Sequence, residues 1–180
     1  MERLRLATIW LGGCSGCHMS FLDLDEWLIE LAQLADIVYS PLIDVKTFPA
    51  NVDVTLVEGA VANEDHFHFI QVVRANSRVL VGFGDCAVTG NVTAMRNSLG
   101  SALPVLQRGY LELADVHKQI PNDTSVVPRL LDRVLPVHQV VPVDFFLPGC
   151  PPPAPRIRAV LENIVQGKPP HLEGRDLKFG

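Results

Sequence analysis

The 180-residue chain has no basic excess, no block of like charge, no long uncharged apolar run and only four cysteines. Fifteen lysines and arginines against 20 acidic residues leave a formal net charge of -5, so there is no electrostatic footprint for nucleic acid. Its charges are scattered, which argues against a charged binding tail. No stretch reaches the roughly 18 uncharged apolar residues that a membrane span requires. The opening Met1-Glu2-Arg3-Leu4-Arg5 is followed by no secretory apolar core with a cleavage site, and it contains no arginine pair. The expectation is a cytoplasmic chain with neither membrane nor nucleic-acid partners. A hydrophobic content of 48% with 19% charged residues excludes disorder and suits one globular core.

What is present reads as strands alternating with helices. Residues 4–11 are apolar and β-branched, then stop at Gly12-Gly13. Ser20, with Asp23 three residues on, is the expected N-cap of a helix burying Leu24, Trp27, Leu28, Leu31 and Leu34. Strands are expected at 37–40, 52–57, 78–83 and 143–147. Asn63-Glu64-Asp65 should open a helix with Phe69, Ile70 and Val73 inward, and a weaker helical pattern covers 92–99. A final helix, with Pro155 in its first turn, should bury Ile157, Val160, Leu161 and Ile164 and stop at Gly167. Residues 100–142 carry five prolines and read as loop with short helices, one of them at 129–135, plausible as partner-contacting chain. This alternation gives an α/β fold with a parallel sheet. Residues 1–170 are expected to be one domain and 171–180 a polar surface tail.

The cysteines stand where three of those strands end: Cys14 and Cys17 after the first, then Cys86, then Cys150. In a reducing compartment such thiols serve as metal ligands or catalytic groups more often than as disulfides. As ordinary buried hydrophobes they would not need Gly13, Gly16, Gly84 and Gly149 beside them. Structural zinc is normally held by two close knuckles, whereas only one C-x-x-C occurs here. A redox dithiol needs two cysteines and leaves Cys86 and Cys150 without a role. An iron–sulfur cluster uses all four as thiolates. Ligands of open α/β sheets bind outside the carboxyl ends of the strands, where all three cysteine loops fall.

Four ordered motifs, spanning residues 4 to about 165, resemble the small subunit of [NiFe] hydrogenases and its relative, the 20-kDa cluster subunit of respiratory complex I. They are Gly13-Cys14-Ser15-Gly16-Cys17-His18, Val57-Glu58-Gly59-Ala60-Val61, Gly84-Asp85-Cys86-Ala87 and Pro148-Gly149-Cys150-Pro151-Pro152. The resemblance implies a flavodoxin-like parallel sheet with helices on both faces. It also implies one [4Fe-4S] cluster on Cys14, Cys17, Cys86 and Cys150, proximal to a nickel–iron centre on a separate large subunit. Complex I subunits have adjacent cysteines in the first motif, whereas Ser15 and Gly16 separate them here. Membrane and periplasmic uptake enzymes add a C-terminal cluster domain and an export signal, neither expected here. The chain is thus most similar to the small subunit of NAD-reducing bidirectional hydrogenases, whose diaphorase subunits carry flavin and further clusters. Coenzyme-F420-reducing hydrogenases, sulfhydrogenases and a complex I-like quinone-linked role are the alternatives. A cluster-bearing assembly module without turnover is the non-enzyme reading.

Around that ligand set, Gly13, Gly16, His18 and Gly149 are expected to shape the cluster's surroundings. His18 either donates to a cluster sulfur or caps the following helix. Glu58 either assists proton exit near the interface or caps backbone of the next segment, the second being favoured. Trp10 and Trp27 are expected in the core, His66 and His68 on the surface. Pro151, Pro152 and Pro153 should stiffen the last cysteine loop and shield the cluster from water. FMN is not expected in this chain: Thr89, Asn91 and Thr93 offer phosphate contacts, but their loops are committed to the cysteines.

Overall fold

The apolar runs become strands whose order fixes the architecture. A computed structural model describes residues 3–170 and 172–177. Along the chain, β1 (Leu4–Trp10) leads into α1 (Gly16–Leu22) and α2 (Trp27–Leu34), then β2 (Ala35–Tyr39) and β3 (Val52–Glu58). Next come β4 (Val61–Asn63), α3 (Glu64–Asn76), β5 (Ser77–Phe83) and α4 (Asp85–Thr89), continued by a 3-10 helix, Asn91–Leu99. α5 (Leu103–Gln107) runs into a π-helical turn, Arg108–Glu112, and is followed by β6 (Leu130–Leu135) and a 3-10 turn, Val137–Gln139. β7 (Phe145–Leu147), α6 (Ala154–Val165) and a 3-10 turn, Gly174–Leu177, complete the order.

Five strands form a parallel sheet in the order β2-β1-β3-β5-β7, the flavodoxin-like winding expected from the sequence. Strand alternation sends Leu6, Val54, Leu56, Val81 and Phe83 to one face, under Phe21, Trp27, Leu31 and the α6 residues Ile157, Val160, Leu161 and Ile164. Ala7, Ile9, Val57 and Leu80 face the other way, under Ile70 and Val73 of α3 and Ala87 of α4. Each of the larger side chains contributes roughly 1.5–3 kcal/mol through burial, which commits both faces to helices. α3 starts where its cap residue stands: Asn63 Oδ1 accepts the His66 N–H at 2.8 Å.

The departures from expectation have local causes. The first helix does not start at Ser20, whose hydroxyl instead donates to the Pro152 carbonyl at 2.6 Å. α1 begins at Gly16 and stops at Leu22, and Asp25 at φ +49 redirects the chain into α2, so Leu24 and Trp27 stay buried while Leu34 is exposed. β2 is Ala35–Tyr39, starting earlier than the expected 37–40. Residues 130–135, inside the stretch expected as helix, form β6, antiparallel to β4. Asn97 completes that small sheet like a strand partner, accepting the Val134 N–H at 2.7 Å and donating to the Val134 carbonyl at 2.9 Å. The 92–99 pattern is helical but 3-10. Trp27 is buried, whereas Trp10 is 48% exposed at the carboxyl end of β1. His68 is exposed as expected, but His66 is half-buried, its Nδ1 accepting the Ala62 N–H. Of the segment read as a tail, Leu172 packs into the α6-side core; residues 171 and 178–180 lie outside those described. No described helix is long and apolar enough to cross a membrane.

Candidate metal centre

The register levels the strand ends. Trp10 pairs with Glu58, Glu58 with Phe83 and Phe83 with Leu147, so the loops that follow emerge at one edge. These loops are then bonded to one another. Gly12 and Ala60 exchange backbone bonds at 2.9 and 2.8 Å, and the Gly84 N–H donates to the Leu147 carbonyl at 2.8 Å. The Asp85 N–H donates to the Gly149 carbonyl at 2.9 Å, while Asp85 Oδ1 accepts the Gly149 N–H at 2.6 Å. Asp85 therefore clamps the Cys86 loop to the Cys150 loop. Gly13 packs on Gly59, whose Cα lies 3.2 Å from where a Gly13 Cβ would stand.

All four cysteines are free thiols. Cys17 and Cys86 are buried, Cys14 and Cys150 exposed. The exposure of Cys150 and Pro151 means that the proline run does not by itself cover this end of the site. Glycine is required where sulfur and backbone approach. At Gly84, φ is +84° and a Cβ would lie 2.2 Å from Cys17 Sγ. A Cβ on Gly16 would lie 3.2 Å from Cys14 Sγ. Donors face three of the sulfurs: the Gly16 N–H to Cys14 at 3.4 Å, Asn91 Nδ2 to Cys150 at 3.3 Å, and the Thr93 N–H to Cys86. The Thr93 hydroxyl donates its hydrogen to the Gly12 carbonyl at 2.8 Å.

The thiols also sense one another. Burial pushes the Cys17 thiol well above its ordinary pKa, and Glu58, Cys86, Cys14 and Cys150 push it further. Burial likewise raises Cys86; Thr93 opposes that, and Cys150 and Cys14 add to it. Four soft sulfurs within electrostatic reach of each other form a donor set suited to iron–sulfur clusters or zinc. Among the described residues, no three His, Cys, Asp or Glu side chains close around a single-ion position.

Glu58 belongs to this site, but not by capping the next segment. α1 has no cap of its own, since Ser15 stands at its N-cap at φ +67 without a side-chain bond. Glu58, almost fully buried, reaches across from β3 to accept the Cys17 N–H at 3.3 Å and the His18 N–H at 2.9 Å. A carboxylate at that position also suits the positive end of α1. The His18 ring does not turn to a sulfur: Nδ1 meets Glu58 Oε2 and Nε2 meets Thr8 Oγ1. The sequence reading gives Asp85 no role beyond its motif, gives Thr8 and Ser40 none, and weighs Asn91 and Thr93 only as phosphate contacts. Asp85 sits inside a quoted motif and was findable; Thr8 and Ser40 give no local signal in the sequence.

Comparison with known proteins bears on this geometry. The family described as NADH ubiquinone oxidoreductase, 20 Kd subunit, matches residues 14–164, a span holding all four cysteines. The chain is 38% identical over 173 residues to the NAD-reducing hydrogenase HoxS subunit delta of Cupriavidus necator, covering 93% of this chain and 81% of that one. It is 40% identical over 174 residues to a vhu subunit of the F420-non-reducing hydrogenase of Methanococcus voltae, covering 95% of this chain and 59% of that one. A chain in the crystal structure of an NAD+-reducing [NiFe]-hydrogenase in the H2-reduced state superposes with a TM-score of 0.94 at 36% identity, covering 99% of this chain and all of that one. The chain therefore belongs to the NADH ubiquinone oxidoreductase 20-kDa subunit family and, within it, is a [NiFe] hydrogenase small subunit, a component of an oxidoreductase.

Proposed function

We propose that Cys14, Cys17, Cys86 and Cys150 hold one [4Fe-4S] cluster, and that the chain is the electron-transfer small subunit of an NAD-reducing [NiFe] hydrogenase (H2 + NAD+ = NADH + H+). The observation that carries this reading is the convergence of four free thiols from three loops at one sheet edge, with hydrogen-bond donors facing three of them. Such donors stabilise thiolate sulfur and tune cluster potentials. Space supports it too: the glycines at 16 and 84 leave sulfur-lined room that a Cβ would fill.

When bound, the cluster supplies one-electron transfer. This chain's own residues hold its ligands in place: Asp85 joins two ligand loops, Glu58 fixes the Cys17 peptide, and Asn91 and Thr93 face the sulfurs. A large subunit with the nickel–iron centre is the proposed partner at the cysteine edge. Exposed Trp10, Met19 and Met95 lie on the segments beside Cys14, Cys17 and Cys86, in keeping with an interface rich in aromatic residues and Met. Diaphorase subunits are the proposed electron outlet, and free thiols fit a cytoplasmic setting.

The test is anaerobic purification together with the partner subunits, followed by metal analysis, EPR and hydrogen-dependent NAD reduction. About four irons on this chain, a reduced-cluster signal and a co-purifying nickel protein are expected. Cys86→Ala should lose the iron and weaken the complex. Stoichiometric zinc in place of iron, or full iron and activity in the Cys86→Ala protein, overturns the reading.

A further inference from the structure

A file of buried polar side chains crosses the otherwise apolar layer between α1 and the sheet. Ser40, Thr8, His18 and Glu58 are 6, 2, 3 and 1% exposed. The Thr8 hydroxyl donates to Ser40 Oγ at 3.0 Å, and Ser40 Oγ also accepts the Leu42 N–H at 3.2 Å. With its only hydrogen directed to Ser40, Thr8 Oγ1 acts as acceptor for the His18 Nε2–H, 3.0 Å away. The ring is thereby ordered, with Nε2 toward Thr8 and Nδ1 toward Glu58 Oε2. Phe83, at 6.4 Å between ring centroids, flanks it edge-on. Glu58 in turn holds the Cys17 and His18 N–H groups.

We propose that Thr8 and Ser40 are positioning residues for the metal centre: acting through His18 and Glu58 on the Cys17 peptide, they raise the reduction potential of the group that Cys17 ligates. The proposal rests on the reading of Cys17 as a cluster ligand. Neither Thr8 nor Ser40 is within hydrogen-bond reach of a cysteine in any described bond; their influence passes along the file. The orientation of a buried imidazole is set by what its far nitrogen bonds, and outer partners of this kind tune a metal site. Ser40 fixes the Thr8 hydroxyl, Thr8 fixes the ring, and the proton that must lie between Nδ1 and Glu58 Oε2, which would otherwise meet lone pair to lone pair, offsets the carboxylate that stands against the Cys17 peptide. Charge on such buried side chains is weakly screened. Without the Thr8 oxygen the ring loses its anchor and the Glu58 charge is less offset, which disfavours adding an electron nearby.

The experiment uses Thr8→Val, Thr8→Ser and Ser40→Ala, each purified anaerobically in the complex with its partner subunits, in EPR-monitored redox titrations. Thr8→Val removes the acceptor at nearly constant volume. Its midpoint potential should move to a more negative value, Thr8→Ser should return to the parent value, and Ser40→Ala should move the same way by less. Iron per complex should equal the parent in all three, which a merely structural role would not combine with a shifted potential. Thr8→Val and Ser40→Ala complexes that keep their iron and titrate with the parent overturn the proposal alone. If Thr8→Val does not assemble, the sign of the Ser40→Ala shift decides: a more negative value supports the proposal, and no shift or a positive one overturns it. A parent complex without iron overturns the ligand reading, and this proposal with it.

Discussion

Replacing Gly84 by alanine places a methyl group where the structure has a sulfur. The backbone there has φ +84° and ψ 161°, a region essentially restricted to glycine, so the conformation alone costs of order 1–3 kcal/mol. The added Cβ would stand 2.2 Å from Cys17 Sγ, against about 3.5 Å for an ordinary nonbonded contact. Cys17 is buried and its peptide is held by Glu58, so relief requires shifting α1 or the Cys86 loop. Overpacking of this kind costs roughly 1–3 kcal/mol more, for a total of about 2–6 kcal/mol. At roughly 2–4 °C per kcal/mol for a chain of this size, the middle of that range lowers Tm by about 8–16 °C. Gly100 is the control: its φ is +80°, yet a Cβ there meets nothing within 4 Å. Gly100→Ala should therefore cost only the backbone part, about 1–2 kcal/mol. Urea unfolding followed by tryptophan fluorescence, with iron counted in parallel, separates the two. Equal losses for Gly84→Ala and Gly100→Ala, with parent iron content in both, refute the close sulfur–backbone approach.

Two further outcomes follow from the electrostatics. In the metal-free chain, iodoacetamide should label exposed Cys14 and Cys150 first and Cys17 last, because burial and the neighbouring Glu58 and cysteine charges hold the Cys17 thiol protonated; mass spectrometry showing Cys17 labelled as fast as Cys14 contradicts the packing. At Asp144, burial raises the carboxyl, but bonds from Arg74 and the Leu80 N–H, with the Arg74 charge, outweigh it and leave the pKa below its ordinary value. A depressed folded pKa adds stability above the unfolded value of about 3.9, and that stability is lost as pH falls through the folded value. Asp144→Asn keeps an acceptor for the Leu80 N–H and should flatten the fall of the urea midpoint between about pH 4 and pH 2; an acid limb as steep as the parent's rules this pair out as a contributor.

The sequence by itself determined the five strands of the parallel sheet, helices α3 and α6, and the four motif loops. Those features are written locally: apolar runs ended by glycine, a cap at Asn63, and the apolar face of α6 running from Ile157 to Ile164. Wherever partnership runs between distant segments, the tertiary structure decided. The leucines and valine of 130–135 fit a helix as well as a strand until β4 and Asn97 supply their backbone partners. Trp10 counts as core by its place in an apolar strand, but a strand end at the sheet's carboxyl edge leaves it half exposed. Glu58 lies 40 positions from the helix it caps, and only the pairing of Trp10 with Glu58 brings the two together. The same register aligns the β1, β5 and β7 loops and gathers Cys14 and Cys17 with Cys86 and Cys150. Sequence named those thiols; parallel pairing, in which each strand end inherits its neighbour's level, assembled them.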